Sequence, residues 1–308
     1  MFPLSHLDKP RRVLSCQSHV ARGFVGNRVA VPLLEVAGYH VDALLTTLFS
    51  SMYVHEGQCL DWRALSPVVS GLAVALAHPW GGGHVAADVS GMSKEVTLHD
   101  YDAAITGYIG SADLLTEVAQ FINSLKKVKP VIWVCDPVLG DNGRLYVAPA
   151  IVETYIREAL PLADFITPNH FELQCLVKRA TEFDSVAEVK EACLQLVEEH
   201  QLRGVICTSV PIDDRLVLVG AYTDHHIVHT FDQNIVKQDV YYGGAGDFFT
   251  AAFVLAMEKF NWQAVEKAAL LALRCTQECI KISVESPEPR VDINVIGSLH
   301  PVLHMLNE

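Results

Sequence analysis

Gly243-Gly244-Ala245-Gly246-Asp247 runs directly into Phe248-Phe249-Thr250-Ala251-Ala252-Phe253, placing glycines, a carboxylate and an apolar run in immediate succession. Glycine lets a backbone turn tightly and bring its N–H groups close to a ligand. The apolar run reads as the buried start of a helix, and amides at such an end seat a phosphate. A carboxylate there repels the anion, but it has a purpose if Asp247 takes a proton from a hydroxyl attacking the phosphate. A plain helix cap accounts for the same residues equally well, so other segments must decide.

Cys135-Asp136-Pro137-Val138-Leu139-Gly140-Asp141 follows a buried strand-like run. Asp136 at a strand's carboxyl end can hold Mg²⁺ directly or through water, or can simply form the turn that Asp-Pro favours. Asp141-Asn142-Gly143-Arg144 is either a loop that closes over a nucleotide or a surface turn, and Tyr146 beyond it is counted with the nucleotide contacts. In Thr167-Pro168-Asn169-His170-Phe171-Glu172, Pro168 can open a helix. Glu172 then caps its first turn, or joins Asn169 in holding phosphate and metal. Thr208-Ser209 ends another strand with two hydroxyls, suited to phosphates or to a turn. Ser18, before the glycine-containing turn at residues 22–28, suits recognition of a small polar substrate, with His19 either a base or a structural residue. Fourteen histidines show no ligand spacing, which argues against structural zinc.

These residues need a frame that presents strand ends together. Apolar, β-rich runs at 12–16, 103–106, 131–135, 165–167 and 205–208 alternate with amphipathic segments. One helix is capped by Ser111 and carries Leu114, Leu115, Val118, Ile122 and Leu125 on one face; another carries Val186, Val189, Cys193, Leu196 and Val197. The alternation predicts an α/β fold with a mostly parallel sheet covered on both faces, and ligands at the strands' carboxyl ends. Residues 215–222 and 226–231 predict an antiparallel hairpin turning around Thr223-Asp224-His225. Pro32 predicts a kink or interruption in the helix at 27–37. Residues 77–98, with Gly81-Gly82-Gly83, read as a surface loop insertion.

Composition bounds the partners. The 308 residues, half of them hydrophobic, suit one large domain or two small ones, and a net charge of −13 without basic blocks argues against nucleic acid and anionic membranes. Eight scattered cysteines include Cys16, Cys135 and Cys207 in apolar runs, which predicts buried free thiols. The longest smooth apolar run, 68–77, is too short to span a bilayer. With no apolar leader in the first residues, a cytoplasmic setting is expected.

Seven segments stand in a telling order: Gln17-Ser18-His19, Gly23-Phe24-Val25-Gly26-Asn27, Thr106-Gly107-Tyr108, the Asp136 and Glu172 segments, Thr208-Ser209 and Gly244-Ala245-Gly246-Asp247. Together they resemble the pyridoxal kinases of the ribokinase-like superfamily, from about residue 12 to 303 outside the insertion. The resemblance implies a single domain over 1–308, a three-layer α/β/α sandwich around a mostly parallel sheet with a small antiparallel hairpin. It implies ATP-dependent phosphorylation of the 5′-hydroxymethyl group of pyridoxal, pyridoxine or pyridoxamine. Asp247 would be the base, and Gly244, Ala245 and Gly246 the anion hole. Asp136, Asn169 and Glu172 would serve the Mg²⁺–phosphate region, with Thr167 and Thr208 near phosphates and a monovalent cation (K⁺ or Na⁺). Ser18, Val25 and Tyr108 would face the pyridine ring, and the protein would form a homodimer.

One departure touches the substrate. Where the family continues Asn-His-Thr-Gly-Tyr after Phe49-Ser50, this chain reads Ser51-Met52-Tyr53-Val54-His55-Glu56-Gly57-Gln58. His55 stands in for the family's histidine, and Met52 packs over the ring or fills a gap. The change leaves two alternatives open: a kinase for another small alcohol such as hydroxymethylpyrimidine or a sugar, or a degenerate kinase kept as a binding protein.

Overall fold

The computed structural model describes residues 11–77, 101–236, 242–287 and 291–308. The first part holds β1 (Arg12–Gln17), β2 (Val20–Arg22), α1 (Asn27–Val36), β3 (His40–Leu45), β4 (Thr47–Ser51), β5 (Gly57–Cys59) and α2 (Trp62–Ala77). Next come β6 (Ala103–Thr106), α3 (Ala112–Lys126), β7 (Ile132–Cys135), β8 (Gly140–Asp141), β9 (Arg144–Leu145), α4 (Pro149–Thr154), β10 (Phe165–Ile166), α5 (His170–Leu176) and α6 (Val186–His200). The last part holds β11 (Gly204–Ile212), β12 (Arg215–Asp224), β13 (Ile227–Ile235), α7 (Ala245–Lys259), α8 (Val265–Val284) and α9 (Val295–Asn307).

The main sheet has the order β13-β12-β11-β10-β7-β6-β1-β3. Pairing is parallel from β3 to β11 and antiparallel through β12 and β13. Successive strand residues point to opposite faces, so β1 sends Leu14 and Cys16 to one core and Val13 to the other. The first core takes residues of α2 to α6; the second takes residues of α1, α7, α8 and α9. Three layers result, as the alternation of apolar runs predicts. Helix α7 is buried at every position from Phe248 to Glu258, which fixes the glycines at its start rigidly against the sheet.

The Ser111 cap is present, with its hydroxyl accepting from the Leu114 amide at 3.3 Å. The expected hairpin forms, but β12 continues through Thr223 and Asp224 and the turn falls on His225 and His226, both with positive φ. That pairing of left-handed residues matches the strand twist in a two-residue hairpin. Pro32 does not interrupt α1, which runs unbroken from Asn27 to Val36. Edge strand β3 and the small sheet β2-β4-β5 have no counterpart in the sequence reading. The expected insertion at 77–98 lies outside the described residues apart from Ala77.

Candidate active site

Gln17, Thr106, Cys135 and Ile166 end or nearly end four neighbouring parallel strands, so Ser18, Tyr108, Asp136 and Thr167 emerge from one edge of the sheet. The order in which strands are added reverses between β1 and β6, the place where open α/β sheets leave a crevice for ligands. Adjacent strands lie about 4.8 Å apart. The residues of β1 and those of β11 therefore lie about 20 Å apart, with Asp136 between them.

The N-terminus of α7 projects into this crevice. Gly244 has φ +87°, and a Cβ there would run into the Phe24 carbonyl, so glycine is required on both counts. Among the described residues no side chain caps this helix end, which leaves its first amides available to an anion. Asp247 lies on that first turn. Burial pushes its carboxyl up to about 6, and the Gly26 amide, donating to it, opposes the shift. Gly26 itself has φ +53° and packs against the Ser18 carbonyl where a Cβ would not fit.

Asp136 is 5% exposed. Burial raises its pKa well above the usual carboxylate range, and the charges of Glu172 and Asp247 raise it further. The expected cluster of Asp136, Glu172 and Asp247 is thus brought together. Thr250 joins it: its hydroxyl lies 2.9 Å from the Thr167 hydroxyl, 3.3 Å from Asp136 Oδ2 and 3.1 Å from the Gly246 carbonyl. One proton goes to an acceptor in this set while Thr167 donates back, so Thr250 links three site segments.

Glu172 is 3% exposed and forms a complete capping box with Asn169. Its Oε1 accepts from the Leu139 amide at 2.9 Å and the Gly140 amide at 3.5 Å; its Oε2 accepts from the Asn169 amide at 2.8 Å. Asn169 Nδ2 donates to the Gly140 carbonyl at 2.8 Å. Burial raises the Glu172 carboxyl to about 8 against the pull of these three amides. Glu172 and Asn169 therefore lock the loop after Asp136 onto the start of α5.

At β11 the ladder breaks between Cys207 and Val210. Ser209 there has φ +86°, an unusual conformation for a side-chain-bearing residue. The Thr208 amide donates to the Pro168 carbonyl at 2.9 Å, holding the bulge beside the Thr167 segment. Tyr146 is exposed and its amide donates to the Leu139 carbonyl at 2.8 Å, which places it near the Asp136 loop.

On the β1 side, buried Asn27 organises the strand ends. Its Oδ1 accepts from Ser15 Oγ at 2.7 Å, and its Nδ2 donates to the carbonyls of Gln17 at 3.0 Å and Leu44 at 3.1 Å. Ser18 is buried beside this network and Val25 is half-buried on the turn above it. Tyr108 is half-buried; burial and the nearby Cys59 push its phenol up. His55 is exposed, stacks on Phe49 with ring centroids 5.4 Å apart, and its Nε2 meets the Met52 carbonyl at 2.6 Å. It is folded back into its own loop. Met52 packs against Gly243, one residue before the Gly244 turn.

Sequence reasoning missed Thr250, Gly26 as a partner of Asp247, and Asp292. A lone hydroxyl inside an apolar helix run was a visible signal for Thr250. Nothing near Asp292 in sequence links it to residue 24, whose amide donates to its Oδ2 at 2.8 Å. All eight cysteines are free thiols, with Cys16, Cys135 and Cys207 buried as expected. No described helix is long and apolar enough to cross a membrane.

A family model described as phosphomethylpyrimidine kinase matches residues 81–291. The chain is 33% identical to a pyridoxal kinase of Arabidopsis thaliana over 280 residues, covering 89% of this chain and 82% of the relative. It is 31% identical to the pyridoxal kinase of Homo sapiens over 271 residues, covering 81% and 78%. The solved pyridoxal kinase from Leishmania donovani in complex with ADP and pyridoxamine superposes with a TM-score of 0.81 at 27% identity, covering 96% of both chains.

Proposed function

The chain belongs to the pyridoxal kinase family, and from that premise we propose that it transfers the terminal phosphoryl group of ATP to the 5′-hydroxymethyl group of pyridoxal, pyridoxine or pyridoxamine. The observation that carries the reading is the meeting of Asp247, on the uncapped first turn of α7, with buried Asp136 between two sets of strand-end residues. Asp247, oriented by the Gly26 amide, holds the acceptor hydroxyl and takes its proton. An alcohol is a poor acid, so the proton leaves late and orientation counts as much as basicity. The amides of Gly244, Ala245 and Gly246 receive the charge developing on the phosphoryl oxygens.

Asp136 fits a divalent cation: it is a buried carboxylate near two other acids, and its hydrogen bond to Thr250 is long at 3.3 Å. Bound Mg²⁺ would neutralise charge on the terminal phosphates. Glu172, already accepting from three amides, contributes through water and by holding the loop. Thr167, Asn169, Thr208, Ser209 and Tyr146 line the nucleotide side, where a monovalent cation also belongs beside the threonines. Ser18, Val25 and Tyr108 face the ring. The whole chain acts as one domain, in the cytoplasm, as a homodimer.

Pure protein with ATP, Mg²⁺ and pyridoxal should yield the phosphorylated vitamer. The match to phosphomethylpyrimidine kinases and the altered 51–58 loop favour one second reading, hydroxymethylpyrimidine as acceptor. A preference of tenfold or more for that alcohol in kcat/KM would replace the first reading by the second.

A further inference from the structure

The loop that departs from the family is heavily wired. Ser50 and Ser51 donate backbone bonds to the carbonyls of Glu56 at 2.8 Å and Val54 at 3.1 Å. Ser51 Oγ accepts from the amides of Tyr53 at 3.3 Å and Val54 at 2.9 Å, and His55 closes on Met52 as described. With these polar groups satisfied inside the loop, two side chains reach beyond it. Met52 lies on Gly243, and the Tyr53 hydroxyl donates to the Val291 carbonyl at 3.0 Å.

Both contacts converge on one short crossing. The Val291 carbonyl also accepts from the Gly243 amide at 3.0 Å, and the Ile293 amide donates to the Gly243 carbonyl at 3.1 Å. Between them, Asp292 is 8% exposed and its Oδ2 accepts from the Phe24 amide. Gly23 packs so closely on that carboxylate that a Cβ would meet it. Residues 291–293 thus touch the 51–56 loop, the glycine that leads into the Gly244 turn, and the 23–26 turn whose Gly26 amide reaches Asp247.

Resting on the kinase reading above, we propose that Tyr53 and Asp292 are positioning residues: they latch the substituted acceptor loop and the 23–26 turn to the anion-hole glycines, so that the alcohol is presented to Asp247 in register with the phosphoryl group. A neutral hydrogen bond is worth about 0.5–1.5 kcal/mol net, and about 1.4 kcal/mol is tenfold in an equilibrium. The scale of effect is therefore several-fold, on the acceptor side.

Tyr53→Phe removes only the hydroxyl. It should raise KM for pyridoxal roughly three- to tenfold with KM for ATP unchanged, and it should speed hydrogen exchange at the Gly243 amide. Asp292→Asn keeps an oxygen for the Phe24 amide and should cost less than Asp292→Ala. Tyr53→Phe and Asp292→Ala combined should cost less in acceptor kcat/KM than the product of the single losses, because both act through one crossing. An unchanged pyridoxal KM in Tyr53→Phe, beside an active wild-type enzyme, would overturn the latch alone. So would equal rises in both KM values, or fully multiplicative losses. A wild-type enzyme inactive on every vitamer would overturn the kinase reading, and the latch with it.

Discussion

The two ends of the crevice are built differently. On the β7, β10 and β11 side, the polar groups follow strand ends or open α5 and are held by hydrogen bonds spanning 3 to 83 residues: Glu172 on three amides, Asn169 on Gly140, Thr167 on Thr250. On the β1 and β6 side, walls come from the 23–26 turn, the small sheet and the 51–56 loop, much of it exposed and held by contacts spanning over two hundred residues of sequence. The β7, β10 and β11 side is thus held by partners at most 83 residues away in sequence, while the other wall is assembled from remoter pieces.

Asp247 stands where the two ends meet, and its loss should show the largest effect. Asp247→Asn should lower kcat about 10²-fold or more, with affinity for a non-hydrolysable ATP analogue, measured by calorimetry, nearly unchanged. Glu172→Ala attacks the rigid end alone. Leaving three buried amides without their acceptor should cost about 1–3 kcal/mol in denaturant unfolding and raise KM for ATP more than KM for pyridoxal. A larger effect on pyridoxal would erase the distinction between the two ends.

The carboxylates also set a pH signature. Activity should fall as pH drops through about 6, where Asp247 gains its proton, seen in the acid limb of kcat/KM. Stability should move the other way. Folded Asp247 and Glu172 hold protons up to about 6 and about 8, above their ordinary values of 3.8 and 4.5. Their protonated forms therefore favour the fold at acid pH, and that contribution is lost as pH rises from about 4 through 8. Melting of the metal-free, nucleotide-free protein should show this decline, and Mg²⁺ with nucleotide should flatten it. The smallest effect belongs to His55→Ala, less than about threefold in acceptor kcat/KM, because that ring is exposed and spends its contacts inside its own loop.

What could be seen in the sequence follows the same division. Strands β1, β6, β7, β10 and β11 are apolar runs with clear ends, and the residues after them are the polar groups at the crevice; local pattern and site coincide. The Ser111 cap and the capping role of Glu172 were readable for the same reason, while the N-cap itself falls on Asn169. Edge strand β3 carries His40 and Asp42 and alternates poorly, so it left no trace. The roles of Tyr53 and Asp292 were invisible because their partners, the Val291 carbonyl and the Phe24 amide, are reached only once the 291–293 crossing is packed, which no local spacing encodes. Pro32 does not end α1, and it sits mid-helix with Val31 toward the less buried side.

The bulge in β11 has a consequence for how this kinase can change. Val205 and Cys207 face the same core as Val210 and Ile212, although a regular strand would turn the second pair away. The extra residue restores the apolar pair to its side after Thr208 and Ser209. Deleting Ser209 would give a straight strand with both pairs still facing inward, so folding gains nothing from the detour. What the detour does is set Thr208 and Ser209 at the break in the strand, so shortening the chain there would separate their placement from the packing of the core.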